Sequence, residues 1–407
     1  MALLVPAAQG ANGHASSRAV CPSPPAGYVH CHVLVTTDAR GNPLASTAPT
    51  GLGPATIQSV YGFPTGAAAG GGQTIAIVDA YDDPNAESDL GVFSSHYGLP
   101  DCTTANGCFT KVDQTGGTRY PKSNSGWALE ISLDVQWAHA IAPGAAILLV
   151  EASSASFSNL LAAEDYAAAH ADYVSNSWGG SESSGETGYD SHFSHAGVSF
   201  FVSAGDAGLP AEYPSASPDV ISVGGTTLNF SGGTFVSETG WSSGGGGCSA
   251  YEIANPAQAA FPGVGQAGCG TARATPDVSL DADPASGVSV YDSVRYQGQK
   301  GWFTVGGTSA SSPMWAAASA DTGGSVNAGT VYGSTITFRD ITSGNNGAPC
   351  LVGYDLCTGR GSWLFGSQST TQPSLGIAGG GQTLTAGQAS AAMQVSISAS
   401  QSSDVTV

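Results

Sequence analysis

Short, nearly continuous apolar runs of strand length recur from residue 74 onward, separated by stretches with helical spacing. TIAIVDA (74–80), AAILLVEA (145–152), DYVSNSW (172–178), VSFFVSAG (198–205) and VISVGG (220–225) are apolar almost throughout, as strands covered on both faces must be. Between them, the stretch 127–140 and SNLLAAEDYAAAHA (158–171) read as helices, and SSPMWAAASA (311–320) reads as a last one. This alternation predicts an α/β fold in which a mainly parallel central sheet is flanked by helices. In such sheets, functional side chains sit beyond the carboxyl ends of the strands. Residues 1–55, rich in Ala, Pro, Gly and Ser, predict an irregular leader that is either a signal remnant or a short pro-segment. Residues 56–367 predict the main domain. From 368 to 407 the only charge is Asp404 and the pattern alternates, which predicts a β-rich tail, the start of a sandwich-like module or a linker.

Composition narrows the function. Ten Lys and Arg face 30 Asp and Glu, for a net charge of −20, and no basic residue lies between Lys122 and Arg273. Such a chain has no electrostatic footprint for nucleic acid or an anionic membrane surface. No apolar run is long enough to span a bilayer. Mutual repulsion of the carboxylates fades as they protonate, which suits the chain to an acidic medium. Eight cysteines, at 21, 31, 102, 108, 248, 269, 350 and 357, fall into four close pairs without a CxxC spacing. That pattern favours disulfides over zinc and an extracellular, secreted protein. Many pairings are possible; nearest neighbours are the expected ones.

Three segments carry candidate chemistry. Glu130 and Asp134, in WALEISLDVQWAHA, share one helix face with Trp127, Ile131 and Ala138. Two carboxyls in an apolar setting cannot both ionise, so such a pair is expected to share a proton. In GGTSASSP (306–313), small residues place Ser309 at a tight junction between a loop and a helix, where backbone N–H groups face developing negative charge. In SAGDAG (203–208), Asp206 follows a buried strand, the position where an open sheet displays its functional side chains.

Taken in order, Glu130, Asp134, Asp206 in its SAGD turn and Ser309 in GGTSxSxP resemble the sedolisin family of serine-carboxyl peptidases, whose fold is subtilisin-like. IAPGA (141–145), YPSASPDVISVGGT (213–226), PDVSLDADPASG (276–287) and the closing RDI…GYDLCTGRGS (339–362) extend the resemblance over about 52–363. It implies that Ser309 is the nucleophile, Glu130 its general base, Asp134 the group that holds Glu130, and Asp206 the oxyanion-hole donor. It implies one structural Ca²⁺, held by Asp340 and Asp355 and by the carbonyls of Ile341, Leu351 and Gly353. It also implies that Ser177, Trp178 and Gly179 pair with an extended polypeptide substrate. The expectation is a secreted, acid-active, monomeric endopeptidase. The alternatives are a tripeptidyl aminopeptidase of the same family and a secreted binding protein on a peptidase fold. Most members of that family carry a larger pro-segment than the 55 residues found here. A subtilisin with Asp79 as its aspartate is disfavoured, because no histidine has the matching context. HFSH (192–195) is not a zinc helix motif, and AAAGGGQT (67–74) is not a phosphate loop.

Overall fold

The computed structural model describes residues 16–365 and two further strands, Leu375–Ala378 and Gln394–Ile397. Contacts divide the chain after Phe365 into two units. In the second, the two strands pair antiparallel, and the rest of the expected β-rich tail lies outside the described residues.

The apolar runs form strands as their composition requires. In chain order the elements that matter are β1 (Ser16–Ala19), β2 (His30–Cys31), β3 (Leu34–Thr37), β4 (Thr74–Ala80), β5 (Phe109–Asp113), α1 (Ser125–Ile141), β6 (Ala146–Ala152) and α2 (Phe157–Ala168). They continue with β7 (Tyr173–Asn176), β8 (Trp178–Ser181), β9 (Ser199–Ser203), β10 (Glu212–Tyr213), β11 (Ile221–Ser231), β12 (Val278–Asp281), β13 (Val288–Tyr296), β14 (Gln299–Gly306), α3 (Thr308–Ala320) and β15 (Ser362–Trp363).

The central sheet runs β15-β12-β11-β9-β7-β4-β6-β5, and every pair in that series is parallel. Two antiparallel strands, Thr234–Gly240 and Phe338–Arg339, extend it. Helices flank the sheet, as the alternation predicted.

Helix α1 starts at Asn124, whose side chain accepts the backbone N–H groups of Gly126 and Trp127. Sixteen of its seventeen residues are buried, and all thirteen of α3 are. Helices buried all round belong to the core of a large domain; these two pack against each other and carry the candidate chemistry into the interior. The lone basic residue of the middle of the chain is buried too. Arg273 is fully enclosed and grips both carboxylate oxygens of Asp277, at 2.6 and 2.5 Å.

The leader departs from expectation. Residues 16–46, expected to be irregular, form short strands: β1 pairs with β3, β3 with β14, and Ala45–Ser46 also with β14. β2 pairs antiparallel with β8, His30 opposite Gly179 and Cys31 opposite Trp178. Apolar content alone did not reveal these strands, because each is two to four residues long and, apart from β1 on neighbouring β3, is held by a partner more than a hundred residues away. All four nearest-neighbour disulfides form: 21–31, 102–108, 248–269 and 350–357.

Candidate active site

Ser309 occupies the second position of α3, just after Gly307, whose φ of +103° lies in the region that favours glycine. The helix's positive end therefore sits at the serine. The Ser309 hydroxyl reaches the Ser177 carbonyl at 3.5 Å and lies close enough to Glu130 to favour that carboxyl's ionised form. Neither oxygen of Glu130 completes a well-formed hydrogen bond within the protein. One turn along, Asp134 Oδ1 accepts the Ser177 hydroxyl at 2.9 Å, and Oδ2 has no protein partner.

Electrostatics follow from enclosure. Glu130 and Asp134 are both fully buried. Burial pushes Glu130 well above the ordinary carboxyl range, and the charges of Asp134 and Asp79 push it further. Burial does the same to Asp134, against the Ser177 hydrogen bond. No basic side chain pairs with either carboxyl among the described residues, so the two cannot both be ionised and the pair retains a proton.

Asp206 lies past the end of β9, facing the start of α3. Its Oδ1 accepts the Thr308 N–H at 2.7 Å and the Thr308 hydroxyl at 3.0 Å, while Oδ2 has no protein donor. Burial raises its pKa to about 7, against the charge of His32 and the Thr308 hydrogen bonds. In mild acid the carboxyl is protonated, and Oδ2 is the oxygen left to donate.

Trp178 is a partial correction. Its backbone pairs with β2, but its fully buried side chain turns into the core and donates from Nε1 to the Val78 carbonyl at 2.8 Å. It therefore offers a passing chain its backbone alone.

Three side chains gain significance that sequence reasoning missed. Asp79, considered only as a subtilisin aspartate, lies one residue before the end of β4, near Asp134 and Glu151. It is fully buried with neither oxygen partnered, and burial followed by those two charges raises its pKa well above normal. His32 and Glu212 meet at 3.0 Å within the cleft. A strand-terminal aspartate is a signal that sequence offers; a pair 180 residues apart is not.

At the expected calcium ligands, Asp355 Oδ2 accepts the Leu351 N–H at 2.6 Å, its Oδ1 accepts those of Cys357 and Thr358, and Asp340 Oδ2 accepts that of Gly353 at 2.9 Å. The two aspartates hold one loop, bracketed by Cys350 and Cys357. Burial, and to a lesser degree the charge of Asp340, raises Asp355, and neither carboxylate has an ion-pair partner among the described residues. Two uncompensated carboxylates with neighbouring carbonyls are a donor set that suits a hard cation. Gly353 has a φ of +85°, whereas Leu351 is not among the residues with positive φ, so a leucine is tolerated there.

A sequence profile of the subtilase family matches residues 117–331, and the chain belongs to that family. Its relatives place it in the sedolisin branch. Kumamolisin of Bacillus sp. (strain MN-32) is 32% identical, over 78% of this chain and 63% of its own. Sedolisin of Pseudomonas sp. (strain 101) is 31% identical over 41% of this chain and 33% of its own. Xanthomonalisin of Xanthomonas sp. (strain T-22) is 28% identical over 72% and 43%. The chain thus spans from about a third to just under two thirds of the length of these relatives. Among solved structures, Pseudomonas sedolisin, a serine-carboxyl proteinase complexed with two molecules of pseudo-iodotyrostatin, superposes with a TM-score of 0.66 at 27% identity, over 78% of this chain and 96% of that one.

Proposed function

We propose that the protein is a secreted, acid-active serine-carboxyl endopeptidase that cleaves polypeptides through an acyl-enzyme on Ser309. The observation that carries this reading is the meeting of the Ser309 hydroxyl with a buried, cation-free carboxyl pair, opposite an aspartate with one free oxygen.

Glu130 takes the Ser309 proton as Oγ attacks the substrate carbonyl carbon. Before attack Glu130 and Asp134 share one proton and carry one negative charge; with the serine proton taken up both are neutral, and the charge has moved to the substrate. The carbonyl oxygen, gaining charge, receives a hydrogen bond from protonated Asp206. The C–N bond breaks, and Glu130 returns the proton to the leaving amine. Water then repeats the sequence on the ester, releasing the acid and restoring Ser309. A carboxylate base works where histidine would already be protonated.

Endopeptidase action is supported over tripeptidyl release by the course of the leader. It runs through the cleft from Tyr28 to Leu34, so the cleft accommodates chain on both sides of the point facing Ser309. The test is a pH–rate profile on an unfolded protein substrate. Activity should be high in acid and fall as pH rises through about 7, where Asp206 loses its proton. A maximum at pH 8 or above would overturn the carboxyl mechanism.

Asp340, Asp355 and the carbonyls of Ile341, Leu351 and Gly353 would hold one Ca²⁺, whose charge would tie the loop to the domain. Chelation should lower the melting temperature by about 5 °C, from ~2.7 kcal/mol of linkage at a hundredfold excess over Kd. A melt unchanged by chelator and by added Ca²⁺ would remove the metal.

A further inference from the structure

Two histidines of the leader turn to the same side of their strand. His30 and His32 stand two residues apart, so their side chains share a face, and their rings meet edge to face at 5.0 Å. The strands β10, β8 and β2 lie side by side in one small sheet. It brings Glu212, the first residue of β10, to His32 across Gly179 of β8. Gly179 has no side chain to fill the gap. A β-carbon there would meet His32 Cε1 at 2.8 Å, Glu212 Oε2 at 3.0 Å and His32 Nε2 at 3.2 Å. Leader and cleft wall thus enclose a pocket in which nitrogen and oxygen donors converge.

The donors have the geometry of ligands. His32 Nε2 lies 3.0 Å from Glu212 Oε2, and one donor atom from each of His30, His32 and Glu212 falls within 4.8 Å of the other two. Ser203 orients the His32 ring. Its hydroxyl donates to the Asn176 carbonyl at 3.3 Å and so accepts from His32 Nδ1 at 2.7 Å, the anchoring that metal-bound imidazoles need. Nε2 then faces Glu212 with either a proton or a metal ion between them. A proton accounts for His32 and Glu212 but not for His30, whose Nδ1 is buried without a hydrogen-bond partner. No Lys or Arg pairs with Glu212 among the described residues.

We infer that His30, His32 and Glu212 form a site for one Zn²⁺ ion that ties the leader to the cleft wall. Two imidazoles and a carboxylate are a donor set for that ion, with a fourth position left to water. Ca²⁺ and Mg²⁺, which take oxygen ligands, do not compete. Donors in a tetrahedral zinc site stand roughly 3.3 Å apart. The His32–Glu212 pair is already near that spacing, and a turn of the His30 ring, whose Nδ1 gives up no hydrogen bond, closes the set. The ion takes the place of the proton between Nε2 and Oε2. His30 and Glu212 are only half-buried, so the ion enters from solvent without unfolding the domain.

Binding there has a consequence for the cleft. The His32 N–H donates to the Ser177 carbonyl at 3.1 Å, the same oxygen that the Ser309 hydroxyl approaches. The strand that brings it there is two residues long. Zn²⁺ adds bonds from both sides of that strand's end to Glu212, and so holds the leader over Ser309 against exchange with another chain.

The test uses the full chain carrying Ser309→Ala, with Ca²⁺ present throughout and Zn²⁺ as the titrant. Calorimetry should show one tightly bound ion per chain, and a hundredfold excess over Kd should raise the melting temperature by about 5 °C. Mg²⁺ should do neither. Amide hydrogen exchange across residues 29–33 should slow at least tenfold when Zn²⁺ is bound. His30→Gln and Glu212→Gln should each weaken binding at least tenfold, with melts taken without Zn²⁺ to show that both variants fold. Absence of saturable Zn²⁺ binding, undiminished affinity in either variant, or unchanged exchange of the leader would each overturn the inference. Should a variant fold poorly, the stoichiometry and exchange readouts still decide. None of these measurements reads turnover, so the peptidase reading stands or falls apart from them.

Discussion

Ser309→Ala and Glu130→Gln will each reduce peptide-bond hydrolysis by roughly four or more orders of magnitude, because nucleophile and base act as one unit. Both residues are fully buried, and both changes nearly preserve volume, so the melting temperature should stay close to that of the wild type. Asp206 will behave differently. Asp206→Ala removes a donor aimed at the oxyanion and should cost about 10²–10³ in kcat. Asp206→Asn keeps an N–H donor that does not titrate. Its activity should persist above pH 7, where the wild type declines as Asp206 ionises. Single-turnover assays across pH would read all four. Wild-type turnover from the Ser309 or Glu130 variant would remove that residue from the mechanism.

The second large effect is on stability. Burial is the leading cause of raised pKa values at Asp83 and Asp206, to about 7, at Glu151 and Glu164, to about 8, and at Asp292, to about 9. Unfolded carboxyls titrate near 4. Between about pH 4 and pH 9 the folded chain therefore binds more protons than the unfolded one, and stability falls as pH rises through that window. Asp113 works in the opposite sense. The Thr115 hydroxyl and nearby backbone N–H groups lower it to about 2, so its contribution is present above its unfolded value and disappears as pH falls through 2. The two tendencies place the maximum near pH 4. The melting temperature should drop by about 10 °C or more from pH 4 to pH 8, at ~1.4 kcal/mol per tenfold displacement in proton affinity. A flat or rising melt over that interval would mean that these carboxyls ionise without cost.

Much of the fold was legible because its strands are buried on both faces. TIAIVDA forms β4 at Thr74–Ala80, and the helix read over 127–140 spans Ser125–Ile141. DYVSNSW was read as one strand but breaks into β7 and β8 on either side of Ser177. That break turns the Trp178 indole into the core and frees the next backbone groups to pair with the leader. Glu130 and Asp134 were legible because α-helical spacing is local. The strands of the leader, and the pocket formed by His32, Ser203 and Glu212, were not. The pocket joins residues 171 and 180 positions apart, the short leader strands other than β1 are paired over comparable or greater separations, and neither hydropathy nor spacing encodes such contacts.

The enclosure of Arg273 bears on how long the molecule survives among other peptidases. From 123 to 294 it is the single Lys or Arg. Its guanidinium is sealed against Asp277, and the peptide that follows it lies in the antiparallel ladder Ala272–Thr275. Enzymes of trypsin-like preference have no accessible residue to grip across the stretch that holds Glu130, Asp134, Asp206 and the pocket walls. A competitor of that kind finds other Lys and Arg only before or after that stretch; to cut within it, it must first unfold the middle.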